Sequence, residues 1–533
     1  MKLSPHRISR EFSWPVKLCR FSRHRTACWT LLGLAMILAR VALLPVLPVP
    51  DPIVHDEFSY LLSADTFAHG RLTSPELPMP EFFESPHVLV SPMYASKYPP
   101  GQGLILALGQ KLFGDPYWGV VLSGAAMIFL LCWAADAWLP PQWTLIAGGL
   151  SAVFFFVRHY WFSSYWGGAL AASGGALLVG GLGRLLSEKP PGARFSLSVG
   201  ALILYATRPY EGGVLCLVVL GILGFLNSSS SPGRRRIWMR SVILPNAAVL
   251  LAGALLIGWY NLRTTGSTTD TPYLEYARLY DRVSPFWVLP PKPDKEYSNA
   301  NTRAAHDVEQ RDYREVRRLG VAGAIGWQLL NFFPRAIWLQ FSAFGLLLAG
   351  VPWARLRKGK KWLVLMLGSG IAALLPEVWI HPHYAAPFTA VELILIVAAA
   401  RAMWYRLAAY RWRGPVFVAV LLLLFIPLGA EYALIQARTT DRGRLVRKLA
   451  SMGGRHLIFV SYAEHWDSGR EWVYNGADLD GSAVLFAHLR SDGENQQLIN
   501  RYPDRTAWIV RLGPAQTDVH LESYGAALAR AKP

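Results

Sequence analysis

Long apolar blocks separated by short basic loops run through most of the chain. Eleven of them approach the roughly 20 residues needed to cross hydrocarbon: 28–48, 117–138, 143–158, 167–184, 195–207, 210–226, 241–262, 325–350, 362–378, 384–401 and 414–434. They predict a polytopic α-helical membrane protein with about eleven transmembrane helices. A further block, 101–113, is apolar but short, and predicts a helix lying on the membrane surface. Counting it as a span would turn every later basic loop to the opposite side. Leu139-Pro140-Pro141-Gln142 separates the second and third spans, since proline ends one helix and opens the next. The fourth span carries Gly167, Gly168, Gly174, Gly175, Gly180 and Gly181, small residues that let helix backbones approach closely in lipid.

Basic residues orient these spans. The N-terminal stretch 1–27 holds Arg7, Arg10, Lys17, Arg20, Arg23 and Arg25, and is expected in the cytoplasm, followed by a first span that is retained rather than cleaved. Basic loops around 184–194, 234–240, 355–361 and 401–413 fall on the same side. Residues 28–434 then form a membrane domain with two large outer segments, a first outer loop at 49–116 and a second at 263–324. The tail 435–533 is expected as a small soluble extracytoplasmic α/β domain, with strand-like runs at 456–462, 483–489 and 507–512 and a helix near 494–502. The implied location is a bacterial inner (plasma) membrane.

Composition agrees with this division: 53% of residues are apolar and only 17% charged. The net charge of +18 follows from the inner loops. No basic face interleaved with aromatic residues is present, so no nucleic-acid partner is expected. Cys19, Cys28, Cys132 and Cys216 are too dispersed for a disulfide framework or a zinc spacing.

Polar clusters recur on the predicted outer side. His55-Asp56-Glu57 follows the first span, and a carboxylate there can take a proton from a hydroxyl or hold a divalent metal. Lys97-Tyr98-Pro99-Pro100, Arg208-Pro209-Tyr210-Glu211 and His381-Pro382-His383-Tyr384 share its side. Lys97, Arg208 and His383 are candidate anion contacts, able to stabilise charge building on a departing phosphate. Arg40, inside the first span, must pair or snorkel and is a fourth candidate. Glu211, His381 and Tyr384 are secondary candidates. His381-x-His383 is a weak metal spacing, because Pro382 keeps it extended. The aromatic run Tyr160, Trp161, Phe162, Tyr165 and Trp166 fits an interfacial belt or a platform for a sugar or isoprenoid chain.

Val54-His55-Asp56-Glu57-Phe58-Ser59-Tyr60, followed by Lys97-Tyr98-Pro99-Pro100-Gly101-Gln102-Gly103, resembles the GT-C glycosyltransferases. That superfamily includes the dolichyl-phosphate-mannose protein mannosyltransferases and the bacterial aminoarabinose transferases. The resemblance spans roughly 28–434. It implies a GT-C-like fold and transfer of a sugar from a polyprenyl-phosphate lipid to an acceptor on the outer face, usually with inversion. It carries the general-base or acceptor-orienting role onto Asp56, the second acid onto Glu57 and a donor-phosphate contact onto Lys97. One departure is that 158–167, where relatives often carry another acid, has none. A polar-lipid transporter or flippase, or a non-catalytic envelope assembly protein, is the alternative. Metal use, the sugar and the acceptor stay open.

Overall fold

The computed structural model describes residues 24–187, 195–332, 359–406, 439–464, 466–513 and 518–531. Most of the N-terminal basic stretch, most of the expected span 325–350 and all of 414–434 lie outside the described residues, as does much of the expected basic loops at 184–194, 355–361 and 401–413.

Six helices among the described residues are long and apolar enough to cross a membrane: Arg25–Leu43 (α1), Tyr117–Asp136, Ala169–Leu186, Pro209–Ser228, Arg235–Thr265 and Ala386–Arg406. Pro141–Phe156, Ser196–Tyr205, Gly320–Leu330 and Lys361–Leu374 are shorter apolar helices. The protein is therefore a multi-pass membrane protein, with six full-length candidate spans described rather than the eleven expected. Of the other five expected spans, four coincide with the shorter apolar helices, which end early or reach undescribed residues, and the fifth, 414–434, lies outside the described residues.

Tight helix contacts depend on glycine. A Cβ on Gly175 would sit 1.9 Å from the carbonyl oxygen of Pro387, at the start of the helix Ala386–Arg406. The block 101–113 is a helix, Pro100–Phe113 (α2), with proline at its first turn and Gly114 closing it in the left-handed conformation. Leu104, Leu108 and Leu112 leave an exposed apolar stripe at i, i+4 and i+8 along it. At its start, Gly101 N–H donates to the carbonyl of Ala206 at 2.7 Å, and a Cβ on Gly101 would lie 2.6 Å from that oxygen. This close approach brings Lys97 and Arg208 to one place.

Strands β1 (Arg455–Tyr462), β2 (Val484–His488), β3 (Arg505–Leu512) and β4 (Val519–Ser523) form a sheet in the order β2-β1-β3-β4, with β1 parallel to β2 and β3, and β4 antiparallel to β3. Helices Asp441–Met452, Asp492–Arg501 and Tyr524–Ala531 accompany it. One face of this sheet shares a hydrophobic core with the first loop: Phe58, Leu62, Phe82 and Val88 pack with Leu457, Phe459, Leu485 and Ile509. Asp51 ties the two segments, accepting from Thr440 N at 2.7 Å and pairing with Arg447 at 2.8 Å. The tail is thus buried against residues 51–96 rather than hanging free of them.

Candidate functional site

The helix His55–Ala68 separates its two acids. Glu57 turns back on the chain, accepting from Ile53 N at 2.9 Å and from Tyr165 N at 3.0 Å. Burial pushes its carboxyl up to about 7 against the pull of these donors. Neighbouring residues on a helix point about 100° apart, so Asp56 faces the other way, into a cavity. His87 Nδ1 lies 2.8 Å from Asp56 Oδ1, Tyr98 Oη donates to the same oxygen, and His55 Nε2 is 3.9 Å from Oδ2. Burial alone would raise the Asp56 carboxyl; the charge and hydrogen bond of His87 outweigh it and hold it well below the usual range.

His87 is held in an unusual backbone conformation, φ 66°, a left-handed region that non-glycine residues seldom adopt. Three bonds fix it there. Its N–H donates to Tyr276 Oη at 2.9 Å, and its carbonyl accepts from Ser59 Oγ at 2.7 Å and Lys97 N at 3.2 Å. Its Nε2 is 3.7 Å from Glu309 Oε1, on the helix Ala300–Arg318.

Two cations face the same space. Lys97 Nζ lies over the rings of Tyr276, Tyr98 and Tyr273 at 4.7, 5.4 and 5.6 Å. The Arg208 guanidinium stacks over Tyr384 at 4.5 Å. Neither side chain makes an ion pair within 4.0 Å with any described residue. His381 and His383 stack with their ring planes 1° apart, and Trp166 lies 5.2 Å from His383. Burial, reinforced by Arg208, lowers the proton affinity of both imidazoles.

Three cavities meet here. A polar one of about 340 Å³ is lined by His55, Asp56, His87, Trp166, His381 and His383, with Glu309 and Asp467 at its wall. A second of about 350 Å³ holds Glu211, Glu377, Tyr210 and Phe286. Lys97, Arg208, Tyr60, Tyr98, Tyr273 and Tyr384 line both, and so form the partition between them. An apolar groove of about 810 Å³, walled by Leu178, Leu197, Leu202, Leu220 and Leu250, shares Tyr205, Pro209, Ile257 and Asn261 with the second cavity.

Of the residues singled out from sequence, Asp56, Lys97, Arg208, His381, His383 and Tyr384 come together, and Glu211 lies next door. Glu57 does not reach the cavities; it caps the helix that presents Asp56. Arg40 stands apart too. Its guanidinium donates to the carbonyls of Leu47 at 2.7 Å and Pro48 at 3.1 Å and to Tyr117 Oη, so it ties down the chain that leaves α1 and is not among the residues lining these cavities. Sequence reasoning missed His87, Glu309 and the 467–469 turn, and took Tyr98 only as part of the cluster that holds Lys97. The spacing His306-x-x-Glu309 on a strongly amphipathic helix was the available signal for one face of that group.

His55, Asp56 and His87 bring one ligand atom each within 4.8 Å of one another. Two imidazoles and a carboxylate suit a divalent ion, and His55 Nδ1 is buried with no hydrogen-bond partner among the described residues, so the donor set fits one.

No protein-family model matches the chain, and no curated protein matches it. Among solved structures it is similar to ArnT from Cupriavidus metallidurans in the apo state, at 15% identity over 94% of each chain with a TM-score of 0.47. The same protein bound to undecaprenyl phosphate gives a TM-score of 0.45. The Archaeoglobus fulgidus oligosaccharyltransferase tethered with an acceptor peptide is similar at 12% identity, over 92% of this chain and 69% of its own, with a TM-score of 0.43.

Proposed function

We propose that the protein is a GT-C-type glycosyltransferase that moves a sugar from a polyprenyl-phosphate donor to an acceptor hydroxyl on the extracytoplasmic face. One observation carries this reading: Lys97 and Arg208, cations with no ion pair within 4.0 Å among the described residues, stand in the partition between an acid-lined polar cavity and a cavity that opens into an apolar groove. A molecule with a long apolar chain, an anionic link and a polar head matches that sequence of environments. The isoprenoid lies in the groove, the phosphate meets Arg208 and Lys97, and the sugar enters the chamber beside Asp56.

In the reaction the bond from the anomeric carbon to the phosphate oxygen breaks, and the electron pair leaves on the phosphate. Two fixed cations favour that dianion more than the diester it came from. The acceptor oxygen bonds to the anomeric carbon and gives its proton to Asp56. A carboxylate of such low proton affinity orients the hydroxyl first and takes the proton late, once bond formation has made it acidic. Trp166 Nε1, buried without a partner among the described residues, is a free donor for a sugar hydroxyl. A divalent ion on His55, Asp56 and His87 would add positive charge to the same chamber.

Charge supports the extracytoplasmic side. Arg25 and Arg184 gather at the far end of α1 from His55, which by the positive-inside rule is the cytoplasmic end. The test is release of polyprenyl phosphate from a polyprenyl-phosphate sugar by purified protein. Release that falls with Arg208→Gln supports transfer. Movement of intact donor across a vesicle bilayer with no release would establish the transporter instead.

A further inference from the structure

We propose that Tyr474, from the C-terminal tail, is a positioning residue for sugar transfer: from outside the cavity it sets His87 against Asp56. The proposal rests on the reading that Asp56 serves the acceptor hydroxyl. Tyr474 touches both pieces of chain that meet there. Its Oη donates to the carbonyl of Pro86 at 3.0 Å, one residue before His87. Its ring stacks on Phe58 with centroids 4.5 Å apart and planes 4° apart. Phe58 follows Asp56 by two residues on the same helix.

Neighbouring tail residues hold the same turn. Ser85 Oγ donates to the carbonyl of Val473, and His488 Nε2 lies 2.8 Å from the carbonyl oxygen of Glu84. Residues 84, 85 and 86 are thus each tied to the tail, immediately before the left-handed His87. A non-glycine residue keeps such a backbone only where its surroundings over-determine it. Tyr474 is itself anchored. Arg442 donates to its carbonyl at 2.6 Å and lies 4.7 Å from the centre of the Phe58 ring. Three residues on, Ala477 N donates to Asp65, farther along the helix that carries Asp56, at 2.7 Å.

Tyr474 is buried and lines none of the three cavities, so it acts on the site only through Pro86 and Phe58. Without the hydroxyl, the turn loses a fixed point while the ring stack remains. The imidazole that holds Asp56 is then free to drift, and the carboxylate loses its orientation toward the acceptor. Lys97 and Arg208 keep their places on the aromatic rings, so the phosphate contact is spared.

Tyr474→Phe in the full chain, reconstituted in nanodiscs, tests this. With the polyprenyl-phosphate sugar that the wild type turns over, kcat per folded molecule should fall about 10-fold, short of the ~10²-fold that a misplacement of about 1 Å can cost. KM for the donor and direct binding of polyprenyl phosphate should be unchanged. The cryo-EM structure of the variant should show His87 Nδ1 beyond hydrogen-bonding distance of Asp56 Oδ1. Arg511→Gln, which breaks an ion pair with Glu522 at the opposite edge of the sheet, should leave kcat at the wild-type value. An unmoved His87 or an unchanged kcat per folded molecule in Tyr474→Phe, or an equal loss in Arg511→Gln, would overturn the proposal. A wild type that releases no polyprenyl phosphate would sink the transfer reading instead, and the position of His87 in the variant would then decide the positioning contact by itself. Should Tyr474→Phe fail to fold, Ser85→Ala, which removes the adjacent tie to Val473, is judged by the same readouts.

Discussion

The two ends of the helical region use the same residue types in opposite ways. At one end Asp136 closes the helix Tyr117–Asp136, with Arg25 at 2.9 Å and Arg184 at 3.8 Å, and the Arg184 guanidinium lies 3.8 Å from the centre of the Trp133 ring. Acid and base satisfy one another there and tie α1 to two further helices. At the other end Asp56 is bound by His87 and Tyr98, while Lys97 and Arg208 lie on aromatic rings and pair with no carboxylate within 4.0 Å among the described residues. Opposite charges are kept apart across a cavity. Charge that is paired holds helices together; charge that is separated is available to a ligand.

Substitutions at the two ends should divide into losses of activity at one and losses of stability at the other. The largest effect is expected from Asp56→Asn, which keeps the shape and removes the proton acceptor. Sugar transfer should fall by about 10³-fold, within the range for a positioned general base, with unfolding temperature nearly unchanged. Full activity in a folded, donor-binding variant would remove Asp56 from the mechanism. Arg208→Gln should follow, lowering kcat/KM for the donor by about 10²-fold through lost charge stabilisation. Raised ionic strength should not restore it, and binding of polyprenyl phosphate measured directly should weaken in parallel. Asp136→Ala, at the opposite end, should lower stability by about 2 kcal/mol because it leaves Arg184 largely buried without its acid, discounted because Arg25 is 43% exposed. Its kcat per folded molecule should match the wild type; a drop like that of Asp56→Asn would mean the two ends are coupled.

Much of the site was legible in the sequence because each of its parts follows a break in an apolar block. Lys97 precedes Pro99-Pro100, Arg208 precedes Pro209, and His381 to Tyr384 bridge two helices, so chain breaks on one side converge although up to 327 residues separate Asp56 from His383. Direction within a break was not legible. Asp56 and Glu57 are adjacent and chemically alike, and only the fold shows that one meets the cavity while the other caps backbone N–H groups. Arg40 had to pair or snorkel, but its partners were not legible, because the carbonyls of Leu47 and Pro48 that it binds carry no side-chain signature. His87 lies in a loop without periodicity, and a left-handed backbone at histidine leaves no trace in composition. The tail's strands were visible as apolar runs, but not the core they share with Phe58 and Phe82, since nothing in a strand's pattern names the partner of its second face.

His383 gives the smallest expected effect and a separate view of how the site end manages charge. It is buried, is hydrogen-bonded to Tyr160, and lies near Arg208, and these surroundings hold its proton affinity well below that of a free imidazole, burial being the larger cause. The folded protein therefore keeps this ring neutral where the unfolded chain, with an ordinary value near 6.5, takes up a proton. The unfolded state binds more protons below about pH 6.5, so the contribution of this site is fully present above that value and is lost as pH falls. His383→Gln, which cannot titrate, should remove up to about 1 kcal/mol per pH unit from the acid dependence of stability between pH 6.5 and 5. Thermal unfolding of the two proteins across that window measures the difference in slope. Parallel curves would show that the ring is already protonated in the folded state, and the site would then hold a third cation beside Lys97 and Arg208 rather than a neutral wall facing them.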